Sequence, residues 1–331
     1  MLNKIECDDV LIFCNLWLQN YLTPGLMTIK FHKLLLIIIL LSANTSGIWA
    51  QERSKIVFTP QWQPQAQFAG YYVALEQGFY SEAGLDVTIK HPSATADIFQ
   101  ILTMGEADIV SAFLIHGLKA ERRGAPIKHF AQMLQHSSLM IVTRKGGGIE
   151  SVDDLKGRKL GIWSSGFDDL IFAMLEQRGI DLEIVRILNT VNLFLEGGVD
   201  AMTVMHYNEY NTIINCGVDP GELNTFFMRD LGLNVPEDAL YCLERRWREN
   251  PEQMRAFAEA TLKGWEYASA NKEYAIELVL RQMKHANLPI NKVHQSWMLE
   301  RILDAIEPGD KPVKRGELSQ QDYILVTAIT N

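Results

Sequence analysis

Apolar and polar positions along the first two thirds of the chain alternate between two periods. Short β-branched and apolar runs recur, and each is followed by a segment of helical spacing, several of which end at a glycine. Strands are predicted at 55–58, 85–89, 107–111, 127–132, 139–143, 159–162, 184–187 and 201–205. Helices are predicted at 68–77, 95–104, 116–123, 152–155, 168–177, 191–196 and 208–215. This repeated order predicts an α/β fold with parallel sheets and helices on both faces.

The pattern changes to long helices after residue 249. They are predicted at 250–271, 274–284, 290–303 and 319–328, and Pro251 suits a first helical turn. Two similar β–α halves with a helical tail predict two doubly wound lobes joined by crossover hinge segments. The predicted bounds are 51–137 with 238–331 for lobe 1, and 138–237 for lobe 2. The predicted hinges lie near 134–140 and 233–241.

The N-terminal region has the order of a secretory signal. Basic residues precede an apolar run at 34–41, and a small, polar stretch follows it. The run is too short to span a membrane, and a buried helix is the alternative interpretation. Met27 stands where such a signal begins, so we interpret 1–26 as an over-called start and 27–50 as the signal peptide. No cysteine lies at the cleavage site, which predicts a periplasmic protein without a lipid anchor.

Composition and charge narrow the function classes. The chain has 331 residues, of which 47% are hydrophobic and 21% charged, as in ordinary globular proteins. Its net charge of −9 repels a phosphate backbone, so no nucleic-acid partner is expected, although the same charge serves solubility. No catalytic motif or metal-ligand spacing occurs, so no catalytic residue, metal or cofactor is predicted. Cys216 and Cys242 either form one disulfide or remain two buried thiols.

An ordered series of short motifs runs through the mature chain. It comprises Trp62-Gln63-Pro64 and the segments 70–74, 77–80, 84–87, 105–108, 124–127, 155–161, 196–201 and 250–252. The series resembles a family of class II periplasmic-binding-protein-like proteins. That family contains bacterial receptors for thiamine-pyrimidine precursors, sulfonate-binding relatives and the fungal thiamine pyrimidine synthases. The resemblance covers about 55–309, and fold maintenance alone also explains each motif.

The resemblance implies a solute-binding receptor of an ABC-type importer. We expect a monomer that closes two lobes on a small heterocyclic ligand, a thiamine pyrimidine precursor above others, and then docks on an ABC-type permease. An extracytoplasmic sensor module is an alternative. The fungal synthases carry a Schiff-base lysine, a histidine four residues later and clustered cysteines. Here those positions hold Ala112, His116 and the cysteine-free stretch 233–238, so we expect no enzyme, with a synthase-like protein as the alternative.

Candidate ligand contacts are placed where strands end, since ligands of open α/β sheets bind there. The indole of Trp62 suits stacking on a heteroaromatic ring, although a tryptophan after a strand is often core. The amides after Trp163 suit an anion at a helix start, whereas Asp168 and Asp169 would repel one. Glu209 is expected either to accept from a ring amine or to complement a helix dipole. The full predicted set is Trp62, Tyr71, Phe113, His116, Trp163, Ser164, Ser165, Gly166, Glu209 and Tyr210.

Overall fold

Two five-stranded sheets form the framework of the protein. The computed structural model describes residues 53–93, 95–163, 168–188, 190–307, 309 and 313–330. The strands are β1 Ser54–Thr59, β2 Leu85–Ile89, β3 Ile109–Phe113, β4 Ile127–Gln132, β5 Leu139–Arg144, β6 Lys159–Trp163, β7 Glu183–Ile187, β8 Ala201–Met205, β9 Leu223–Phe227 and β10 Asp238–Leu243. The first sheet has the order β2-β1-β3-β10-β4 and the second β7-β6-β8-β5-β9. We call the first sheet with its helices lobe 1 and the second lobe 2.

Each sheet is mixed: the predicted parallel order is present in both, and each sheet also has antiparallel pairs that the sequence pattern did not predict. In lobe 1, β10 runs antiparallel to both β3 and β4. In lobe 2, β5 runs antiparallel to β8 and β9. A parallel neighbour needs a crossover connection on the same sheet. The chain enters β5 and β10 directly from the opposite lobe, without such a crossover, and both strands run against their neighbours.

Helices cover the sheets and continue beyond the last strand. They are α1 Ala69–Glu76, α2 Phe79–Glu82, α3 Ile98–Thr103, α4 Leu114–Arg122, α5 Asp168–Arg178, α6 Asn192–Leu195, α7 Glu209–Asn215, α8 Glu244–Glu249, α9 Pro251–Ala270, α10 Lys272–His285, α11 Lys292–Ile306 and α12 Gln320–Ile329. The predicted helix at 95–104 began three residues too early. Asp97 caps α3, since its side chain accepts from the backbone N–H of Phe99 at 2.9 Å.

The C-terminal helices return to lobe 1 and complete its core. Phe257 of α9 is fully buried, stacks on Tyr80 with ring centroids 4.9 Å apart, and lies 5.2 Å from Phe58. Aromatic side chains bury large apolar areas, and such ring pairs add to that burial energy. The sequence after residue 250 is therefore structurally part of the lobe that β1 and α1 begin.

Two short segments, 133–138 and 232–237, carry the chain between the lobes. The side chain of Gln132 ties them together, because its Nε2 donates to the carbonyl oxygens of Leu134, Glu237 and Asp238 at 3.0–3.2 Å. The predicted second hinge, 233–241, was too long, since β10 already begins at Asp238. The predicted lobe bounds stay a prediction.

Several expectations concern the chain ends and the cysteines. The predicted signal peptide and over-called start lie outside the described residues. Within the described part of the chain, no helix has the length and apolar character needed to cross a membrane. Cys216 is exposed and Cys242 buried, and both are free, so the disulfide alternative was wrong. Burial raises the pKa of the Cys242 thiol to about 12.

Candidate functional site

A cavity lies between the lobes where β3 and β8 end and the two crossovers pass. Its walls are largely apolar, with three polar side chains. The residues that form the walls are Phe113, Ile115, His116, Ser137, Leu139, Leu170, Met205, Val235, Pro236 and Glu237. Its free volume of about 30 Å³ is far below the several hundred Å³ typical of small-molecule sites. A heterocyclic ring therefore needs the lobes to move apart in order to enter.

Two of the predicted contacts, Phe113 and His116, line this cavity together. Phe113 ends β3, and His116 lies in the first turn of α4 directly after it. Their rings meet edge to face with centroids 5.5 Å apart. The strand-end placement thus brings an aromatic face and an imidazole to the same wall of the cavity.

Trp62 lies on the segment after β1, outside the cavity lining. It is half-buried and packs against the core of lobe 1. His91 fixes this segment: its Nδ1 lies 2.6 Å from the Trp62 carbonyl oxygen, and its Nε2 lies 2.8 Å from the Tyr72 hydroxyl. A carbonyl only accepts, so Nδ1 carries the proton and the Tyr72 hydroxyl donates to Nε2. Burial lowers the pKa of His91 to about 4, consistent with this neutral ring.

The end of β6 holds Trp163, which is half-buried and donates from its indole Nε1 to the Thr203 carbonyl at 3.0 Å. Its indole therefore belongs to the packing of lobe 2. Ser164, Ser165 and Gly166 lie outside the described residues. Asp168, at the start of α5, pairs with Arg186 at 2.7 Å.

Glu209 opens α7 and bonds to its own neighbourhood. Its carboxylate accepts from the Met205 backbone N–H and from the Asn208 amide, both at 2.8 Å. Burial raises the pKa of Glu209 to about 6, against the lowering effect of these hydrogen bonds. Both Glu209 oxygens thus already hold a partner within lobe 2. Tyr210 is half-buried and tilts against Trp297 of α11, with ring centroids 6.2 Å apart.

Tyr71 lies in the core of lobe 1 and is absent from the cavity lining. Its ring is 1% exposed and packs 4.6 Å from Phe58. Burial raises the pKa of its hydroxyl, and nearby Asp238 raises it further. Tyr71 was predicted as a ligand contact, but helix α1 turns its side chain into the core of lobe 1.

The sequence interpretation missed Glu237, which lies in the cavity wall, and the buried Asp238 beside it. Both are buried at the second crossover. Asp238 accepts from the side-chain amides of Gln61 and Gln67 at 2.8 Å. Burial raises the pKa of Asp238 to about 7 and that of Glu237 to about 8. The acidic pair after Pro236 is visible in the sequence, but nothing local distinguishes it from a solvated turn.

Contacts outside the cavity also join the lobes. Lys119 of α4 in lobe 1 pairs with Asp169 of α5 in lobe 2 at 2.7 Å. On α11, the Trp297 indole donates to the His206 carbonyl at 2.9 Å, and its ring meets the His206 ring edge to face at 5.5 Å. The ring nitrogens of His294 lie 2.9 and 3.0 Å from side-chain oxygens of lobe 2. These contacts hold the two lobes together in the arrangement described here.

Trp297→Ala is expected to shift the ligand-free protein toward open conformations. It removes one hydrogen bond of about 1 kcal/mol and an aromatic contact of similar size, roughly 30-fold in the closed-to-open ratio. Small-angle scattering should show a larger radius of gyration than for the wild type. Trp247→Ala is the matched control, since Trp247 stacks on Phe130 within lobe 1. Identical scattering curves for Trp297→Ala and wild type would show that Trp297 does not hold the lobes together.

Comparisons with known proteins agree with this architecture. Residues 65–275 match the model of a family described as NMT1/THI5 like. A 4-amino-5-hydroxymethyl-2-methylpyrimidine phosphate synthase of Saccharomyces cerevisiae, THI13, is 29% identical over 240 residues, 66% of this chain and 70% of its own. The formylaminopyrimidine-binding protein of Halalkalibacterium halodurans is 27% identical over 289 residues, 84% of this chain and 86% of its own. The structure of the periplasmic aliphatic sulphonate-binding protein SsuA of Escherichia coli superposes with a TM-score of 0.64 at 17% identity, over 84% of this chain and 85% of its own. The fold is thus the two-lobed fold of periplasmic binding proteins.

Proposed function

The chain belongs to the NMT1/THI5-like family, and from this membership we propose that it is an extracytoplasmic receptor that delivers a small heterocyclic solute to an ABC-type permease. The observation that carries the proposal is the cavity between the lobes. It has mostly apolar walls, few polar groups and two chain crossovers at its base. That arrangement is suited to binding a small molecule by closure.

The ligand class that fits best is a thiamine pyrimidine precursor. A relative that matches most of the chain is named for formylaminopyrimidine binding. The ring of Phe113 offers a flat apolar surface, and His116 offers a polar atom beside it. A substituted pyrimidine combines a flat face with hydrogen-bonding edges and so matches these two groups.

The receptor works by differential affinity for its two conformations. A ligand that contacts both lobes binds the closed form more tightly and shifts the population toward it. Two contacts outside the cavity also stabilise the closed form without contacting the ligand. They are the hydrogen bond from Trp297 to His206 and the Lys119–Asp169 ion pair. The closed form is then the one that docks on the permease.

A pyrimidine synthase is the second candidate, favoured by the names of the yeast relatives. The position matched to the Schiff-base lysine is Ala112, a methyl side chain that is 1% exposed in β3. A methyl group forms no imine with an aldehyde, so the residue at this position favours the receptor.

Thermal melting of the full-length protein against a ligand panel tests the proposal. The panel holds formylaminopyrimidine, hydroxymethylpyrimidine, thiamine, pyridoxal phosphate and several sulfonates. A bound ligand at about 100 times its Kd adds roughly 2.7 kcal/mol, which is several degrees in Tm. We expect this rise with a pyrimidine. A rise with sulfonates alone, or with none of these compounds, would contradict the assigned ligand class, and turnover of pyridoxal phosphate into a pyrimidine would establish the synthase.

A further inference from the structure

The Glu237 carboxyl group has one satisfied oxygen and one unsatisfied oxygen. Its Oε1 accepts from the Ser138 backbone N–H at 2.6 Å and from the Ser137 hydroxyl at 3.1 Å. Its Oε2 is buried, and no hydrogen-bond partner for it exists among the described residues. Glu237 is 6% exposed and forms part of the cavity wall. A buried polar atom without a partner is uncommon in proteins and calls for an explanation.

The surroundings leave few ways to satisfy this oxygen from within the protein. The other polar side chains of the cavity wall belong to His116 and Ser137, and neither is a hydrogen-bond partner of Oε2. The remaining side chains of the wall carry no N–H or O–H donor. A molecule that enters the cavity can supply the partner.

We propose that Oε2 of Glu237 is the polar anchor of the ligand and donates a hydrogen bond to an acceptor atom of it, such as a ring nitrogen. This inference rests on the proposed receptor function and adds a specificity-determining residue to it. The direction of the bond is set by Oε1, which the Ser138 N–H holds as an acceptor. In the protonated carboxyl group the hydrogen therefore lies on Oε2.

The charged and titratable groups around Glu237 favour the protonated form. Asp238 follows it directly, and burial together with that carboxyl raises the pKa of Glu237 to about 8. Burial raises the pKa of nearby Tyr207, and the carboxyl groups of Glu237, Asp238 and Glu209 raise it further. Two basic residues also lie near Glu237. Arg229 donates to the Ser137 carbonyl at 3.2 Å, and His116 lines the cavity.

This environment also selects the charge of the ligand. The carboxyl group of Glu237 lies in the cavity wall, and no lysine or arginine is among the described residues of that wall. A sulfonate would bring a full negative charge beside this carboxyl group without a cation in the wall to balance it. A neutral heterocycle with an unprotonated ring nitrogen meets the Oε2 donor without that penalty.

Calorimetric titration with formylaminopyrimidine at pH 6.5 and pH 9 tests the anchor. For the wild type, Kd should rise about tenfold at pH 9, because only about a tenth of Glu237 then carries the proton. Glu237→Gln keeps a donor at this position and an acceptor toward Ser138, so we expect near wild-type affinity without the pH dependence. Glu237→Leu should weaken binding at pH 6.5 by about tenfold or more, because it removes the only donor assigned to the ligand.

Glu249→Gln is the matched control. It makes the same chemical change at an exposed carboxyl group on α8, outside the cavity wall, and leaves Glu237 unchanged, so binding and its pH dependence should persist. If Glu237→Gln keeps the wild-type pH dependence, or Glu237→Leu binds as the wild type does, the anchor is wrong and the receptor function stands. If the wild type binds no pyrimidine, the receptor function for this ligand class fails and the anchor fails with it. Should Glu237→Leu not fold, the pH profile of Glu237→Gln decides alone.

Discussion

Gly264→Ala is expected to lower the free energy of unfolding by about 3 kcal/mol. Gly264 lies on α9 where that helix crosses α1. A methyl group there would stand 2.2 Å from the Gly70 carbonyl oxygen and 2.7 Å from the Ala74 side chain. Since one of these neighbours is backbone, the helices would have to separate. In a solvent-exposed helix the same change stabilises the folded state by about 1 kcal/mol. A net loss of stability in this variant would therefore come from the packing of the two helices.

The measurement is thermal or urea unfolding of the variant beside Lys263→Ala. Lys263 is exposed on the same helix, one residue away, and its replacement should leave stability nearly unchanged. For a chain of this size, about 3 kcal/mol corresponds to roughly 4 °C in Tm. Equal Tm values for Gly264→Ala and wild type would show that α1 and α9 lie farther apart than a direct backbone contact allows.

The close crossing of α1 and α9 also explains why the sequence pointed to the motif at Gly70 without giving the reason for the glycine. Gly70 belongs to the motif series that pointed to the fold, yet the partner that requires a glycine is Trp265, far along the chain on α9. A methyl group at Gly70 would stand 2.2 Å from that indole. Local sequence marks such a position, whereas the reason for it is a tertiary contact.

The strands show the same division between local and distant information. The β–α pattern predicted the eight strands before residue 206, because each combines β-branched or apolar residues with a distinct turn or helix after it. Strand β10 was missed, since Pro236 and the acidic pair beside it are typical of a turn. Strand β9, Leu223–Phe227, was missed as well, because it mixes polar and aromatic residues on a half-buried surface.

Within the candidate site, the sequence predicted the residues that stand directly after a strand end. Phe113 and His116 lie in the cavity wall for that reason. The sequence could not identify Glu237 as a cavity residue, because its burial depends on Ser137 and Ser138. These two serines belong to the first crossover, 100 and 99 residues earlier in the chain. A carboxyl group looks alike in sequence whether it faces water or a cavity.

The acid–base behaviour of that carboxyl group gives the second large effect. Burial raises the folded-state pKa of Glu237 from 4.5 to about 8. Between those values the unfolded chain has released the proton while the folded protein still binds it. Stability contributed by Glu237 is therefore full below pH 4.5 and is lost as pH rises toward 8, at about 1.4 kcal/mol per unit.

Glu237→Gln is consequently expected to gain about 4 kcal/mol relative to the wild type when pH rises from about 5 to about 8.5. The amide does not titrate. The comparison also cancels the contributions of the half-buried histidines His91, His129 and His206, whose lowered pKa values act in both proteins alike. Melting curves over this range should diverge by several degrees. Glu249→Gln, at an exposed position on α8, should track the wild type at every pH. Parallel curves for Glu237→Gln and wild type would mean that the Glu237 carboxyl group is solvated and ionised in the folded protein, because only a buried, protonated carboxyl group couples folding to pH in this window.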